Sequence, residues 1–228
     1  MFPAREAAFP LPDFEGWADD ELAVRFDRPY ERSCHHHVTM INGIDPQHLR
    51  TVHGFAIDMD LKIGEAGGGQ IDFALAGQIP ADGWRGRLAA WITGGRYGYA
   101  MRYSAGSLGL LTMAQHLRLI GRFAFPTLHM VFAYRPVEFG RTFVQPIFLA
   151  KKRRGPLGWL KERLLLWLTK RAFRALQGED GRVYDNMRFN PASLVPMDRP
   201  IAVFIQKINQ LAPSIWSRKA ARDPQPEP

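Results

Sequence analysis

The segment from Asn42 to His53 contains the side chains best suited to chemistry. His48 and His53 lie five positions apart, and Asp45 precedes the first of them by three positions. Two neutral imidazoles and one carboxylate on one face of a metal ion, with its other positions open, form the ligand set of non-haem Fe(II) sites. The residue types in this segment therefore indicate a metal site.

The spacing of the two histidines restricts how the backbone can present them. Pro46 suits the first turn of a helix, and Asp45 can cap that helix from outside. On a regular helix a five-residue step turns about 140° past a full circle, so the two rings would face different directions. A helix that ends near Thr51, or a π-type turn, would bring them together. The alternative is one core histidine and one surface histidine on an amphipathic helix.

Much of the remaining chain shows the pattern of a sheet protein. Short runs rich in β-favouring residues are separated by segments with turn-forming glycine and proline. They predict strands at residues 21–26, 55–61, 70–77, 86–92, 96–103, 108–119, 128–134 and 142–150. Consecutive short strands joined by tight turns indicate an antiparallel sheet. His116 lies among apolar residues, so we expect it in the core or against a cavity rather than as a metal ligand.

Residues 157–177 form the longest helical pattern in the sequence, and Gly178 is placed to end it. The apolar residues recur at steps of three to five positions, at Leu160, Leu164, Leu168 and Phe173. This stripe can pack on the sheet, as a helix-on-sheet domain requires. Because the helix is also basic and contains Trp159 and Trp167, the alternative is a helix that lies on a membrane surface.

The chain length of 228 residues suits one well-buried domain, which we assign to residues 21–216. Residues 1–20 are rich in proline and acidic residues and predict an extended arm. Residues 201–211 predict a further helix, with Asp198 as its cap and Pro200 at an early position. Residues 217–228 are charged and proline-rich, which is typical of a disordered tail.

Composition narrows the function classes. No run of eighteen uninterrupted apolar residues and no apolar signal core at the start are present, so neither a transmembrane helix nor a secretory peptide is predicted. With one cysteine there is no disulfide framework, and the cytoplasm is the simplest compartment. The net charge of +8 concentrates near residues 151–154, without a nucleic-acid-binding motif. This basic segment is either a solvated turn or a docking face for an acidic iron–sulfur protein.

Cys34 and the three histidines that follow it are a second candidate metal cluster. If these residues form a strand, His35 and His37 share one face, whereas Cys34 and His36 share the other. Four side chains divided in this way make a poor tetrahedral set. We therefore expect a structural use for this cluster.

The pattern Asn-Gly-x-Asp-x-x-His-x-x-x-x-His resembles the mononuclear-iron segment of Rieske-type oxygenases, particularly the cholesterol 7-desaturases and 3-ketosteroid 9α-hydroxylases. In that family the third ligand is an aspartate far downstream, just after a long helix, and Asp180 matches that position. The resemblance therefore implies a triad of His48, His53 and Asp180 around a mononuclear Fe(II). It also implies that Asp45 is the bridging aspartate, through which electrons pass from a Rieske cluster to the iron.

One departure from the family is large. A Rieske centre binds its 2Fe–2S cluster with two cysteines and two histidines, and this sequence has only Cys34. Residues 9–12 resemble the linker that follows the Rieske domain in the family. The resemblance thus implies that a Rieske or ferredoxin-type partner chain holds the cluster and supplies the electrons. A shortened chain and a lost redox function are the alternatives.

The resemblance also implies a fold and an activity. The fold would be α+β of the helix-grip type, an antiparallel sheet wrapped around a long C-terminal helix. The activity would be O2-dependent hydroxylation or desaturation of a hydrophobic substrate, sterol-like or aromatic, in a homotrimer, with peripheral membrane contact as an additional expectation. The alternative is a non-catalytic helix-grip protein that binds a hydrophobic ligand.

Overall fold

The computed structural model describes residues 17–54, 57–67, 69–104, 106–120, 122–138, 140–184, 187 and 190–211. Within these residues the strands are β1 (Leu22–Phe26), β2 (Tyr30–Arg32), β3 (Met59–Gly67), β4 (Gln70–Gln78), β5 (Arg96–Ser104), β6 (Leu108–Gln115), β7 (Arg118–Leu119), β8 (Phe123–Ala124), β9 (Leu128–Glu138) and β10 (Arg141–Lys151). The helices are α1 (His36–Ile41), α2 (Pro46–Thr51), α3 (Gly83–Thr93), α4 (Pro156–Tyr184) and α5 (Arg199–Gln210).

Eight strands form one antiparallel sheet, and β7 and β8 form a separate pair. The order across the large sheet is β1, β10, β9, β6, β5, β4, β3, with β2 also paired to β10. In the ladder between β4 and β5, pairing runs without a shift from Gln70 opposite Ser104 to Gln78 opposite Arg96. The antiparallel sheet predicted from the sequence is confirmed.

The long helix α4 packs on β9 and β10, and it contributes Leu166 and Phe173 to the main hydrophobic core. The ring of Phe173 lies 5.6 Å from that of Phe132 and 5.8 Å from that of Phe148, measured between centroids. On the same face as Phe173, Leu166 and Thr169 are buried. The predicted stripe is only partly confirmed, because Phe173 is buried whereas Leu160 and Leu164 are 55% and 53% exposed. The fold is therefore α+β, an antiparallel sheet around a long C-terminal helix, and the helix-grip prediction is confirmed.

The segment predicted as a strand at residues 86–92 is wrong, because it belongs to α3. Its apolar residues Trp84, Leu88 and Trp91 recur at helical spacing rather than alternating. Gly94 adopts a left-handed conformation with φ of 77° directly after the helix, as glycine commonly does at a helix C-terminus. The helical spacing and the C-terminal glycine are therefore consistent with the helix that this segment forms.

The predicted end of the long helix at Gly178 is also wrong, since α4 continues to Tyr184. A Cβ added at Gly181, one turn further on, would lie 2.9 Å from a guanidinium nitrogen of Arg32. The guanidinium occupies that space and donates a hydrogen bond to the carbonyl of Gln177 at 3.1 Å. The two glycines are therefore part of the helix, and Asp180 lies within the helix instead of after it.

Of the remaining predictions, some concern elements that the structure describes and others concern residues outside the described ranges. The helix predicted at residues 201–211 is α5, although the carboxylate of Asp198 accepts from the backbone N–H of Val195 rather than from the helix. No helix among the described residues is long and apolar enough to cross a membrane. The first sixteen residues of the N-terminal arm and the predicted tail at 217–228 lie outside the described residues.

Candidate metal centre

The helix α2 fixes the orientation of His48. It begins with Pro46, and the carboxylate of Asp45 caps it by accepting from the backbone N–H of Gln47 at 2.8 Å. The helix ends at Thr51, which is one of the two ways in which the five-residue spacing can present both rings on one side. The rings of His48 and His53 are perpendicular, with centroids 4.9 Å apart.

The tertiary fold adds Asp180 to the two histidines. Its Oδ1 lies 2.8 Å from Nε2 of His48 and 3.1 Å from Nε2 of His53. The three ligand atoms lie within 4.8 Å of one another. The side chains of the histidines are 6% and 4% exposed, and that of Asp180 is 17% exposed. The structure thus brings together all three residues that the family resemblance proposes as ligands.

Glu179 is a member of this group that the sequence reasoning missed. Its Oε2 lies 2.6 Å from Nδ1 of His53. A carboxylate at this nitrogen holds the Nδ1 proton, so that Nε2, on the side of Asp180, is the nitrogen left for a metal ion. The signal available in the sequence was the adjacent acidic pair at 179 and 180.

The donor set fits a first-row metal ion such as Fe(II). The carboxylate oxygen of Asp180 lies about 3 Å from each imidazole nitrogen, near the separation of donor atoms around one ion, and all three donors lie within 4.8 Å of one another. A carboxylate orients one of the imidazoles from behind, which is usual for metal-binding histidines. Three protein ligands leave other coordination positions free for small molecules.

His48, His53 and Asp180 form part of the wall of a cavity of about 120 Å³. The rest of the wall consists largely of aromatic, methionine and leucine side chains: Tyr30, Leu49, Met59, Tyr97, Tyr99, Met101, Leu111, Met113, Met130, Phe132, Tyr134, Phe173, Leu176 and Tyr184. Thr39, Asn42, Gly43 and Gln177 complete it. No lysine or arginine is among the described residues that line it.

The tyrosines of the wall are neutral hydrogen-bonding groups. Burial raises the pKa of Tyr97 to about 12, and burial also raises the pKa of Tyr99 and Tyr134 well above the usual value. The hydroxyl of Tyr99 is buried and has no hydrogen-bond partner among the described residues. Because Tyr99 is also one of the cavity-lining residues, we expect this hydroxyl to hydrogen-bond a ligand that reaches it.

The second histidine cluster differs from the sequence expectation. Residues 34–37 do not form a strand, because His35 is the N-cap of α1 and its Nδ1 accepts from the backbone N–H of His37. The turn brings one nitrogen of each of the three histidines within 4.8 Å of the others. Burial, together with neighbouring histidines, lowers the pKa of His36 to about 3 and of His37 to about 4.

Two other histidines, His116 and His129, differ in their burial. His116, which was expected in the core or at a cavity, is exposed and follows β6 with φ of 64°. His129 is instead the buried one, and its Nδ1 lies 3.1 Å from Oγ1 of Thr112 on the neighbouring strand. Neither residue lines the cavity beside Asp180.

The fold of the chain is similar to that of several solved structures. Dicamba monooxygenase bound to dicamba has a TM-score of 0.56 at 15% sequence identity, covering 93% of this chain and 64% of that chain. NdmB from Pseudomonas putida CBB5 has a TM-score of 0.56 at 14% identity, covering 86% and 52%. A QL mutant of NdmA from the same organism, solved with theobromine, has a TM-score of 0.58 at 14% identity, covering 88% and 54%.

The chain therefore spans between about half and two thirds of the length of these structures. No protein-family model matches the sequence, and a comparison with curated proteins gives no match. At these identities the similarity establishes the fold alone.

Proposed function

We propose that this chain is the catalytic domain of a Rieske-type non-haem iron oxygenase that oxidises a neutral hydrophobic substrate. The observation that carries the proposal is the convergence of His48, His53 and Asp180 on the wall of an apolar cavity. The fold similarity to dicamba monooxygenase, NdmA and NdmB supports it. The resemblance of residues 42–53 to the mononuclear-iron segment of that family supports it independently of the fold.

A hydroxylation of this class converts one C–H bond, one O2, two electrons and two protons into one C–OH group and one water. Bound Fe(II) supplies one-electron chemistry toward O2. His48, His53 and Asp180 hold the ion, and Glu179 keeps His53 in the tautomer that can bind it. The apolar wall excludes bulk water and holds the substrate beside these ligands.

The electrons require a partner, because the single cysteine of this sequence cannot hold a Rieske cluster. We assign this role to a separate 2Fe–2S protein that acts in trans, and we place Asp45 on the electron path. Asp45 is half-buried and is three residues before His48, so it is close to one ligand in the chain. A homotrimer, in which the path crosses between subunits, is the assembly that the family resemblance favours.

The cavity wall favours a neutral substrate over a carboxylic acid. A carboxylate buried there would have no lysine or arginine among the described lining residues to pair with. Tyrosine and methionine side chains suit flat or irregular apolar molecules. Sterol-like and neutral aromatic compounds are therefore the substrate classes to test first, and the NdmA structure with theobromine supports including neutral ring compounds in that set.

A non-catalytic binder of a hydrophobic ligand is the second candidate. The single cysteine is the observation that favours it, because an oxygenase of this class depends on an external cluster. The two candidates share the cavity and differ at the metal centre. Metal binding therefore separates them.

The decisive experiment is anaerobic Fe(II) loading followed by measurement of iron per chain. We expect about one iron in the native chain, and loss of that iron in both His48→Ala and Asp180→Ala. A variant with His35, His36 and His37 all replaced by alanine is the control, and it should retain its iron. A folded native chain without iron would overturn the oxygenase assignment in favour of the binder. Aerobic turnover with an added Rieske protein and reductase then tests the activity.

A further inference from the structure

Three segments leave the large sheet at the same end of its strands, which we call an edge. The C-terminal ends of β4, β6 and β10 all lie at that edge. The pairs that show it are Gln78 with Arg96, Met113 with Leu128 and Leu22 with Lys151. The segments that leave it are α3, the β7–β8 pair and the chain from residue 151 into α4. The backbone N–H of Ile120 donates to the carbonyl of Ile92 at 2.7 Å, so the first two segments also contact each other.

Each segment exposes large apolar side chains. On α3, Trp84 is 65% exposed and Trp91 is 59% exposed, and on β8 Phe123 is 68% exposed. At the start of α4, Leu157 is 75% exposed and Trp159 is 50% exposed. We call residues 83–93, 118–124 and 151–163 the apolar–basic edge. Exposed apolar groups concentrated in this way mark an interaction surface.

The apolar–basic edge is also strongly positive. Residues 83–93 and 118–124 each contain two arginines and no acidic residue, and residues 151–163 contain six basic residues and one acidic residue. Cations lie over two of the exposed rings, with Arg85 at 5.3 Å from the Trp84 centroid and Arg163 at 4.5 Å from that of Trp159. Tryptophan beside arginine or lysine is the composition of a protein surface at the lipid headgroup level.

We propose that the apolar–basic edge binds the surface of an anionic lipid membrane. The tryptophans, leucines and Phe123 enter the headgroup boundary, while the arginines and lysines pair with anionic lipid headgroups. Charge favours a membrane over a symmetric contact with a second copy of the chain, because two such edges face to face would bring like charges together. The inference rests on the surface alone and is independent of the proposed oxygenase activity.

The proposal is tested by co-sedimentation of the purified chain with vesicles. The native chain should bind vesicles of phosphatidylcholine with 30% phosphatidylserine, bind pure phosphatidylcholine at least tenfold less, and release from the anionic vesicles as salt rises. Its tryptophan fluorescence should shift to shorter wavelength on binding. A Trp84→Ala, Phe123→Ala, Trp159→Ala variant should lose at least tenfold in binding to the anionic vesicles.

A Val137→Ala, Met197→Ala variant is the matched control, because both residues are exposed and lie outside the edge. Far-UV circular dichroism and the melting temperature establish that every variant is folded. Equal binding by the native chain and the triple variant, or no binding to anionic vesicles, would overturn the proposal. Native dimerisation that the triple variant abolishes, without any lipid binding, would assign the edge to contacts between copies and would also overturn it. Iron content should be unchanged throughout.

Discussion

Nε2 of His48 lies 2.8 Å from Oδ1 of Asp180, although 132 positions of sequence separate the two residues. The aspartate reaches the histidine because α4 runs through Gly178 and Gly181 without ending. The resulting pair is mostly buried, with side-chain exposures of 6% and 17%. Its members lie on different elements, so any loosening of α4 against the sheet would separate the proposed metal ligands.

Glu179 should tune the affinity for iron without being a ligand. Glu179→Ala removes the carboxylate at Nδ1 of His53, and the imidazole loses its fixed tautomer. Removal of a group that hydrogen-bonds a metal ligand typically lowers the metal affinity by about 10–100-fold. We expect a loss of that size in Fe(II) titrations, and a smaller loss for Glu179→Gln, whose amide oxygen can still accept a hydrogen bond from Nδ1–H of His53. Unchanged affinity in Glu179→Ala would contradict the positioning role.

Asp45 should matter for electron delivery more than for metal binding. Asp45→Asn keeps a side chain that caps helices equally well, so α2 should form as before. The charge on the proposed electron path is lost. We expect normal iron content but greatly reduced turnover with a Rieske partner, measured as product per iron. Iron lost in proportion to turnover would show that Asp45 acts on the metal site instead. Asp45→Ala should in addition destabilise the fold by about 1 kcal/mol, because the cap is removed.

Tyr99 should select substrates that carry an oxygen atom. Its buried hydroxyl has no partner among the described residues, so Tyr99→Phe should not lower the free energy of unfolding. A hydroxylated or keto substrate that accepts or donates a hydrogen bond there should bind up to about tenfold more weakly to the variant. A hydrocarbon analogue should bind equally well to both proteins.

Tyr103→Phe is the contrasting variant for this experiment. The hydroxyl of Tyr103 donates to the carbonyl of Met40, so its removal should lower stability. Equilibrium ligand binding and urea unfolding of the two variants distinguish the roles. A Tyr99→Phe protein that is as destabilised as Tyr103→Phe would indicate a structural hydroxyl at position 99.

Stability should fall as the pH drops below about 6.5, and His36 and His37 should contribute to the fall. Burial lowers their pKa values to about 3 and about 4, whereas unfolded histidines titrate near 6.5. Below that pH the unfolded state takes up protons that the folded state refuses, so the stability present above pH 6.5 is lost progressively towards pH 4. Urea unfolding at pH 7 and pH 5 measures the loss. His36→Asn, His37→Asn should reduce it, and His116→Asn, at an exposed position, should leave it unchanged.

Where local patterns are strong, the sequence predicts the structure well. The alternation and turns of residues 70–77 and 96–103 correspond closely to β4 and β5, and Pro46 and Asp45 correctly place the start of α2. The predictions are wrong where a single local signal carries them. The segment predicted as a strand at residues 86–92 belongs to α3, whose apolar residues have helical spacing, and α4 passes through Gly178, where the sequence predicts its end. Contacts with Arg32, which are distant in sequence, account for Gly181.

The sequence by itself determined the chemistry that residues 42–53 offer and the class of the fold. Ligand types and helix signals are local, and the alternation of apolar residues specifies a sheet through short-range geometry. The family resemblance pointed to Asp180, but the tertiary structure decided that Asp180 and Glu179 are the carboxylates that meet the histidines. Asp180 and Glu179 approach His48 and His53 across more than 120 positions, and no local pattern encodes such a distance. The cavity and the apolar–basic edge likewise exist only once the sheet register is fixed, because each gathers residues from several separate elements.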